Sequence, residues 1–253
     1  MSTTAELIAV AAAGAALGSF LNVVVYRLPR GESLVSPGSH CPRCDAAVKP
    51  YDNVPVLAWI WLGGRCRACR ARISARYPLV EAITAALCAA VAATRSDAVG
   101  IALGLLTVLV AVPVAAIDFE HHIIPNRITG LAALLALASG TALDPSGEPA
   151  RLLAAAIAGG AFLAVALAVP KGMGMGDVKL AGVLGLLLGS SVAPAIGIAL
   201  VSGVVVGLAV LTRRERGDRR GAGVPFGPFL AVGAVAALFC GHAIVAAYLH
   251  HLT

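Results

Sequence analysis

The stretch Lys171-Gly172-Met173-Gly174-Met175-Gly176-Asp177-Val178-Lys179-Leu180 puts a carboxylate in a glycine-rich break between two apolar segments. A second boundary, Ile117-Asp118-Phe119-Glu120-His121-His122-Ile123-Ile124-Pro125-Asn126, carries Asp118. Ionisable groups at the edge of a membrane segment are costly, so each marks a candidate functional site. The chain around them is apolar. Of its 253 residues 59% are hydrophobic and 13% charged, with a mean hydropathy of +0.89. A soluble domain carries about 25% charge. This composition points to an all-α polytopic membrane protein.

Apolar stretches of about 20 residues are spanning candidates. Eight are read, at 4–26, 77–94, 98–117, 128–143, 152–170, 176–190, 193–212 and 226–249, the sixth being short. With the N-terminus outside, the inner loops are 27–76, 118–127, 171–179 and 213–220. All 19 Lys and Arg residues except Arg95 and Arg151 fall in them. That asymmetry sets orientation by the positive-inside rule. The net charge of +6 is therefore topology and not a nucleic-acid surface. The basic run at 213–220 also suits anionic lipid. The first segment carries Glu6, lacks a basic start and is followed by Arg27 and Arg30, which favours a retained helix over a cleaved signal. Gly14/Gly18, Gly100/Gly104, Gly185/Gly189 and Gly203/Gly207 have the spacing of close helix contacts, although 28 glycines also produce it by chance.

The only long polar loop, 27–76, holds Cys41-Pro42-Arg43-Cys44 and Cys66-Arg67-Ala68-Cys69, with 21 residues between the pairs. This is close to zinc-ribbon spacing. An inner loop faces a reducing compartment, and a unit of this size needs a staple. The reading is a structural Zn²⁺ on Cys41, Cys44, Cys66 and Cys69. Iron–sulfur or redox chemistry finds no support nearby. Val54–Leu62, with Trp59 and Trp61, is read as part ribbon core and part membrane-surface segment. Cys88 and Cys240 read as small packing residues.

Both aspartates fall at the inner face. Two carboxylates brought together share a proton and act as base and acid. One accepts a proton from water while the other protonates the leaving amine, which is peptide hydrolysis without a metal. On the residues alone two other readings stand: a proton- or cation-coupled transporter, and plain structural roles, with Asp177 as a helix N-cap and Asp118 as an interfacial carboxylate. A transporter predicts charges near mid-membrane and broken helices in both halves. Gly172, Gly174 and Gly176 are expected to supply φ > 0 and close approach around the site. Gly-x-Gly between membrane helices lacks the βαβ setting of a nucleotide fingerprint. Lys171 and Lys179 read as inner-face anchors, Glu120, His121 and His122 as solvated, and Asn126 as a helix cap.

Several of these motifs, taken in order, resemble the bacterial type IV prepilin peptidases, GxGD-type intramembrane aspartic proteases. The resemblance rests on Gly18-Ser19-Phe20-Leu21-Asn22-Val23-Val24-Val25-Tyr26-Arg27-Leu28-Pro29, both CxxC pairs, Tyr77-Pro78-Leu79-Val80-Glu81, Asp118 with Ile124-Pro125-Asn126, Lys171–Leu180, and Pro225-Phe226-Gly227-Pro228-Phe229. It implies cleavage of a basic leader from prepilins or pseudopilins, then methylation of the new N-terminus with S-adenosylmethionine. It places catalysis on Asp118 and Asp177, with the backbone of Gly174 and Gly176 at the active site. Glu81 is the candidate for binding the substrate amine or the cofactor, its alternative being a helix-start carboxylate. An enzyme that cleaves without methylating is the nearest variant of this reading. The expected organisation is a first transmembrane helix over 1–26, a cytoplasmic Cys₄ loop over 27–76 and a transmembrane aspartic peptidase domain over 77–253. The expected location is the bacterial cytoplasmic membrane, with the active site facing the cytoplasm.

The charge asymmetry predicts that position 147 is outside. A single cysteine placed there should react with an impermeant thiol reagent in intact cells; protection until the cells are opened would contradict this topology.

Overall fold

The computed structural model describes residues 3–169, 172–213 and 224–250. Lys171, 214–220 of the basic run and the three C-terminal residues lie outside them. Among the described residues there are nine α-helices, short 3-10 turns and two isolated β-bridges. The helices are α1 (Thr4–Arg27), α2 (Leu57–Trp61), α3 (Arg76–Thr94), α4 (Ala98–His121), α5 (Asn126–Leu143), α6 (Glu148–Ala168), α7 (Met175–Leu188), α8 (Val192–Arg213) and α9 (Gly227–His250). All but α2 follow the eight apolar stretches, because in lipid the backbone must satisfy its own hydrogen bonds.

Six stretches are long and apolar enough to cross a membrane: Thr4–Arg30, Arg76–Thr94, Ala98–His121, Glu148–Ala168, Met175–Val210 and Gly227–His250. The expected number was eight. The difference arises because α5 opens on the polar pair Asn126 and Arg127, and because α7 and α8 form one apolar stretch broken only by a turn at Gly189–Ser191. Gly189 takes φ +56 there, a conformation costly for any residue with a Cβ.

The chain divides into two compact units, Met1–Ser96 and Asp97–Thr253. In the first, α1 packs along α3. A Cβ on Gly18 would lie 2.8 Å from the Glu81 Cα, and one on Gly14 would lie 3.0 Å from the Ala85 Cα. Cys88 is buried at the same seam. In the second unit, α4 packs on α9 and α5, α6 on α7, and α8 on α9. Gly185 is a close-contact position against Ala155, whereas Gly207 meets nothing within 4 Å among the described residues. Of the glycine pairs, then, Gly14/Gly18 is a helix contact and Gly203/Gly207 is a loose one. Cys240 is exposed on α9 and is not a packing residue, its Sγ donating to the Ala236 carbonyl. Arg151, one of the two basic residues outside the inner loops, is bound at 2.8 Å by both Asp144 and Glu148.

Gly18→Ala should lower thermal stability. The contact with the α3 backbone outweighs the roughly 1 kcal/mol that alanine gains as a helix former, leaving a net loss of about 1–2 kcal/mol. Gly207→Ala, with open space around it, should be neutral or slightly stabilising. Thermal melts of the two purified variants check this.

Candidate functional site

Two groups of chemistry-bearing side chains are present, one in each compact unit. In Asp97–Thr253, α4 continues past the expected boundary at 117 to His121. It ends where His122 turns left-handed at φ 54 and returns its N–H to the Asp118 carbonyl at 2.9 Å. Asp118 therefore lies in the last turn of α4 and is only 5% exposed. Its Oδ2 accepts the Gly227 backbone N–H at 2.9 Å, at the first residue of α9.

Asp177 is the third residue of α7, so it is not the N-cap; Gly174 is. The Gly174 backbone lies beside its carboxylate, and Asp118 is a charged side chain near it. The Asp177 Oδ1 is buried without a hydrogen-bond partner among the described residues. Gly172, Gly174 and Gly176 do not adopt positive φ, and Gly174 sits at φ −79. The need is for space. A Cβ on Gly176 would lie 3.0 Å from the Ile124 Cβ, and one on Gly174 would lie 3.3 Å from the Asp177 Oδ2.

Asn126 was expected to cap α5. Pro125 holds that position, and the Asn126 Oδ1 instead accepts from Lys179 Nζ at 2.9 Å. This bond ties the start of α5 to the first turns of α7. His122 is exposed, but His121 is only partly solvated: its Nε2 is buried, 3.9 Å from the Glu120 carboxylate.

In Met1–Ser96 the two CxxC segments form matching knuckles. In each, the first cysteine N–H reaches a carbonyl five residues on: Cys41 to Ala46 at 2.9 Å and Cys66 to Ala71 at 2.8 Å. The residue after the second cysteine is left-handed in both, Asp45 at φ 53 and Arg70 at φ 60. The bridges His40–Ala47 and Arg65–Arg72 close them. The four sulfurs lie within 4.8 Å of one another, with Cys41 and Cys69 at 3.8 Å. A tetrahedron with Zn–S bonds of about 2.3 Å has edges of about 3.8 Å. The backbone N–H groups of Arg43 and Cys44 hold the Cys41 thiol down at about 7. Against the pull of the Ala46 N–H, the neighbouring sulfurs push Cys44 up to about 12. One thiolate forms readily and the next only if a cation offsets the charge. The donor set fits zinc.

Between Val54 and Leu62 the two tryptophans divide their roles. The Trp59 Nε1 donates to the Ile73 carbonyl at 3.1 Å, while Trp61 is half exposed with Leu57 and Ile60. Beside this segment lies a cavity of about 880 Å³, lined by Asn22, Arg27, Trp59, Tyr77 and Glu81 among others. That volume suits a drug-sized ligand. Asn22, Arg27 and Glu81 are buried. Asn22 donates to the Tyr77 carbonyl at 3.1 Å, and Arg27 to the Ser33 and Pro37 carbonyls. Glu81 is not a helix-start carboxylate, since no acidic residue lies in the first turn of α3. Its Oε2 accepts the Val56 N–H at 2.7 Å. Val56 sits at φ 62, ψ −53, the centre of a tight turn from the Pro55 carbonyl to the Leu57 N–H. A β-branched residue is strained there, and such strain concentrates at functional sites.

The sequence matches two family descriptions. Residues 12–95 match the Bacterial Peptidase A24 N-terminal domain, and residues 103–211 match the Type IV leader peptidase family. A prepilin leader peptidase/N-methyltransferase of Burkholderia pseudomallei (strain 1026b) is 40% identical over 265 residues, covering 90% of this chain and 83% of the relative.

The chain belongs to the type IV leader peptidase family.

Proteins of the same name from Aeromonas salmonicida (strain A449) and Bacillus subtilis (strain 168) are 34% and 32% identical, covering 92% and 93% of this chain and 90% and 95% of their own lengths. No solved structure matches. The leader-peptidase match contains Asp118 and Asp177 but ends before Gly227. The knuckles and the cavity fall in the N-terminal match. The partner of Asp118 went unassigned in the sequence because it is a backbone group 109 residues away. Its only trace was the motif Pro225–Phe229. The Val56 clamp on Glu81 left no trace in sequence.

Purified protein should contain about one zinc per chain, and the Cys66→Ser, Cys69→Ser double variant almost none. Metal analysis of both decides it: a zinc-free parent, or an unchanged variant, would refute the assignment.

Proposed function

We propose that this protein removes the basic leader from type IV prepilins or pseudopilins at the cytoplasmic face of the bacterial cytoplasmic membrane, then methylates the exposed amine. What supports the peptidase reading is that Asp118, in the last turn of α4, and Asp177, in the first turn of α7, lie in one compact unit with Asp118 as a charge near Asp177. The names of its relatives support the same reading. The peptidase part lies within 77–253, with both aspartates in the unit that begins at Asp97. α7 has 14 residues, about 21 Å of helix, less than the roughly 30 Å of a hydrocarbon core. Its glycine-rich entrance then lies within the membrane edge, where irregular backbone is tolerated only beside water or protein. A prepilin leader is cytoplasmic and the segment after it apolar, so the scissile bond comes to that edge. Eight crossings complete the topology.

In this mechanism a water attacks the scissile carbonyl carbon. Asp118, already served by an N–H donor, takes the water's proton. Asp177, whose Oδ1 has no donor among the described residues, delivers a proton to the leaving nitrogen. The C–N bond breaks, leaving a carboxylate on the leader and a free amine on the pilin.

The cavity in Met1–Ser96 fits the second reaction. Glu81 lines the cavity and binds Val56 through its Oε2, its other oxygen having no hydrogen bond among the described residues. That oxygen would hold a cationic amine of the pilin or of S-adenosylmethionine. S-adenosylmethionine supplies an electrophilic methyl group when bound. Zinc on the four cysteines would hold the loop that walls the cavity. Lipid surrounds the apolar helices, and the basic inner face serves topology and not nucleic acid.

Opposite single variants should separate the two reactions. Asp118→Asn or Asp177→Asn should cut leader removal by about 10²–10⁴-fold or more and still methylate a pilin supplied without its leader. Glu81→Gln keeps an acceptor for Val56 but loses the charge. It should cleave normally and methylate about 10- to 100-fold more slowly. Cleavage by either asparagine variant at the parent rate would defeat the aspartate reading.

A further inference from the structure

The Pro225–Phe229 motif has no role in the chemistry above, yet its backbone reaches Asp118. The first N–H groups of a helix lack partners within it. At the start of α9 there are few to dispose of. Phe229 returns its N–H to the Phe226 carbonyl at 3.0 Å, and Pro228 has none. Gly227 is left with a donor, and that donor is aimed at the Asp118 Oδ2 in a buried bond of 2.9 Å. The same position has no room for a side chain. A Cβ on Gly227 would lie 2.6 Å from that oxygen and 3.0 Å from the carboxyl carbon. The helix start is itself fixed by aromatic contacts, Phe226 with Phe162 and with Phe229 at ring-centroid distances of 6.2 Å and 6.3 Å.

We propose that Gly227 is a positioning residue of the peptidase: its N–H orients the Asp118 carboxylate, and its missing side chain leaves the space that the carboxylate occupies. This rests on the reading of Asp118 as catalytic. Pro228 contributes by removing a competing donor. The glycine is then required for a contact in the site and not for backbone freedom.

The test measures kcat and KM for leader cleavage, and the melting temperature, in full-length protein carrying Gly227→Ala. A carboxylate displaced by about an ångström costs on the order of a hundredfold in rate. The expected result is that loss in kcat with KM within about twofold of the parent, the signature of a lost transition-state interaction. Gly160→Ala, at a position that meets nothing within 4 Å among the described residues, should behave as the parent. Asp118→Asn runs in parallel: if it cleaves, the aspartate reading fails, whereas an inactive Asp118→Asn with a fully active Gly227→Ala overturns the positioning role alone. A Gly227→Ala protein that loses KM and melting temperature along with kcat points to general damage. Adding Asp118→Ala to it removes the clashing group and should restore the melting temperature to that of Asp118→Ala alone. Failure of that rescue would overturn the proposal.

Discussion

A carboxylate held away from water in an apolar helix bundle is the constraint on which the larger unit depends. Asp118 is 5% exposed, and such a group persists only with a donor to meet it. The donor is the first N–H of α9, so α4 and α9 must meet end to end at this point. The left-handed turn at His122 ends α4 just beyond the aspartate, and Asn126 then starts α5 where Lys179 of α7 can reach it. Asp177 enters by the same geometry, on the first turn of a helix whose glycine at 176 lets it close on Ile124. The polar groups of four helix termini, the end of α4 and the starts of α5, α7 and α9, meet in these contacts while the helices themselves remain apolar.

The smaller unit answers a different constraint. A loop of this size has little core of its own, so its order comes from local closure. The two knuckles repeat the same backbone hydrogen bonds and the same left-handed residue. Asp52 accepts two bonds from Arg67 of the second knuckle, whose guanidinium holds that carboxyl below the usual carboxylate range. Gly18 brings the α3 backbone against α1, and on that seam Glu81 is fixed with one oxygen on the strained turn at Val56. A buried acid thus steadies the loop on one side and lines a cavity on the other.

Much of this was legible in sequence wherever the determinant was local. The apolar runs are the helices, because length and hydropathy alone decide whether a segment suits lipid. The CxxC pairs are the knuckles, because spacing within four residues sets the turn. Where the determinant was a distant contact, the sequence misled. Gly174 and Gly176 suggested unusual backbone, but they provide space against Asp177 and Ile124. Asn126 after proline suggested a cap, but a lysine 53 residues away takes its oxygen. For Glu81 the alternative to a binding role was a helix-start charge, but its partner is a backbone N–H across the loop. Gly227 sat in a visible motif whose purpose appears only when α9 is placed beside α4.

The central claim is that one chain both cuts a leader at the membrane edge and methylates what it exposes. The most direct measurement is the intact mass of a prepilin after incubation with the purified protein and S-adenosylmethionine in lipid. The account predicts a product lighter by the leader and heavier by one methyl group. A substrate of unchanged mass, in the presence of folded and zinc-loaded protein, would contradict it.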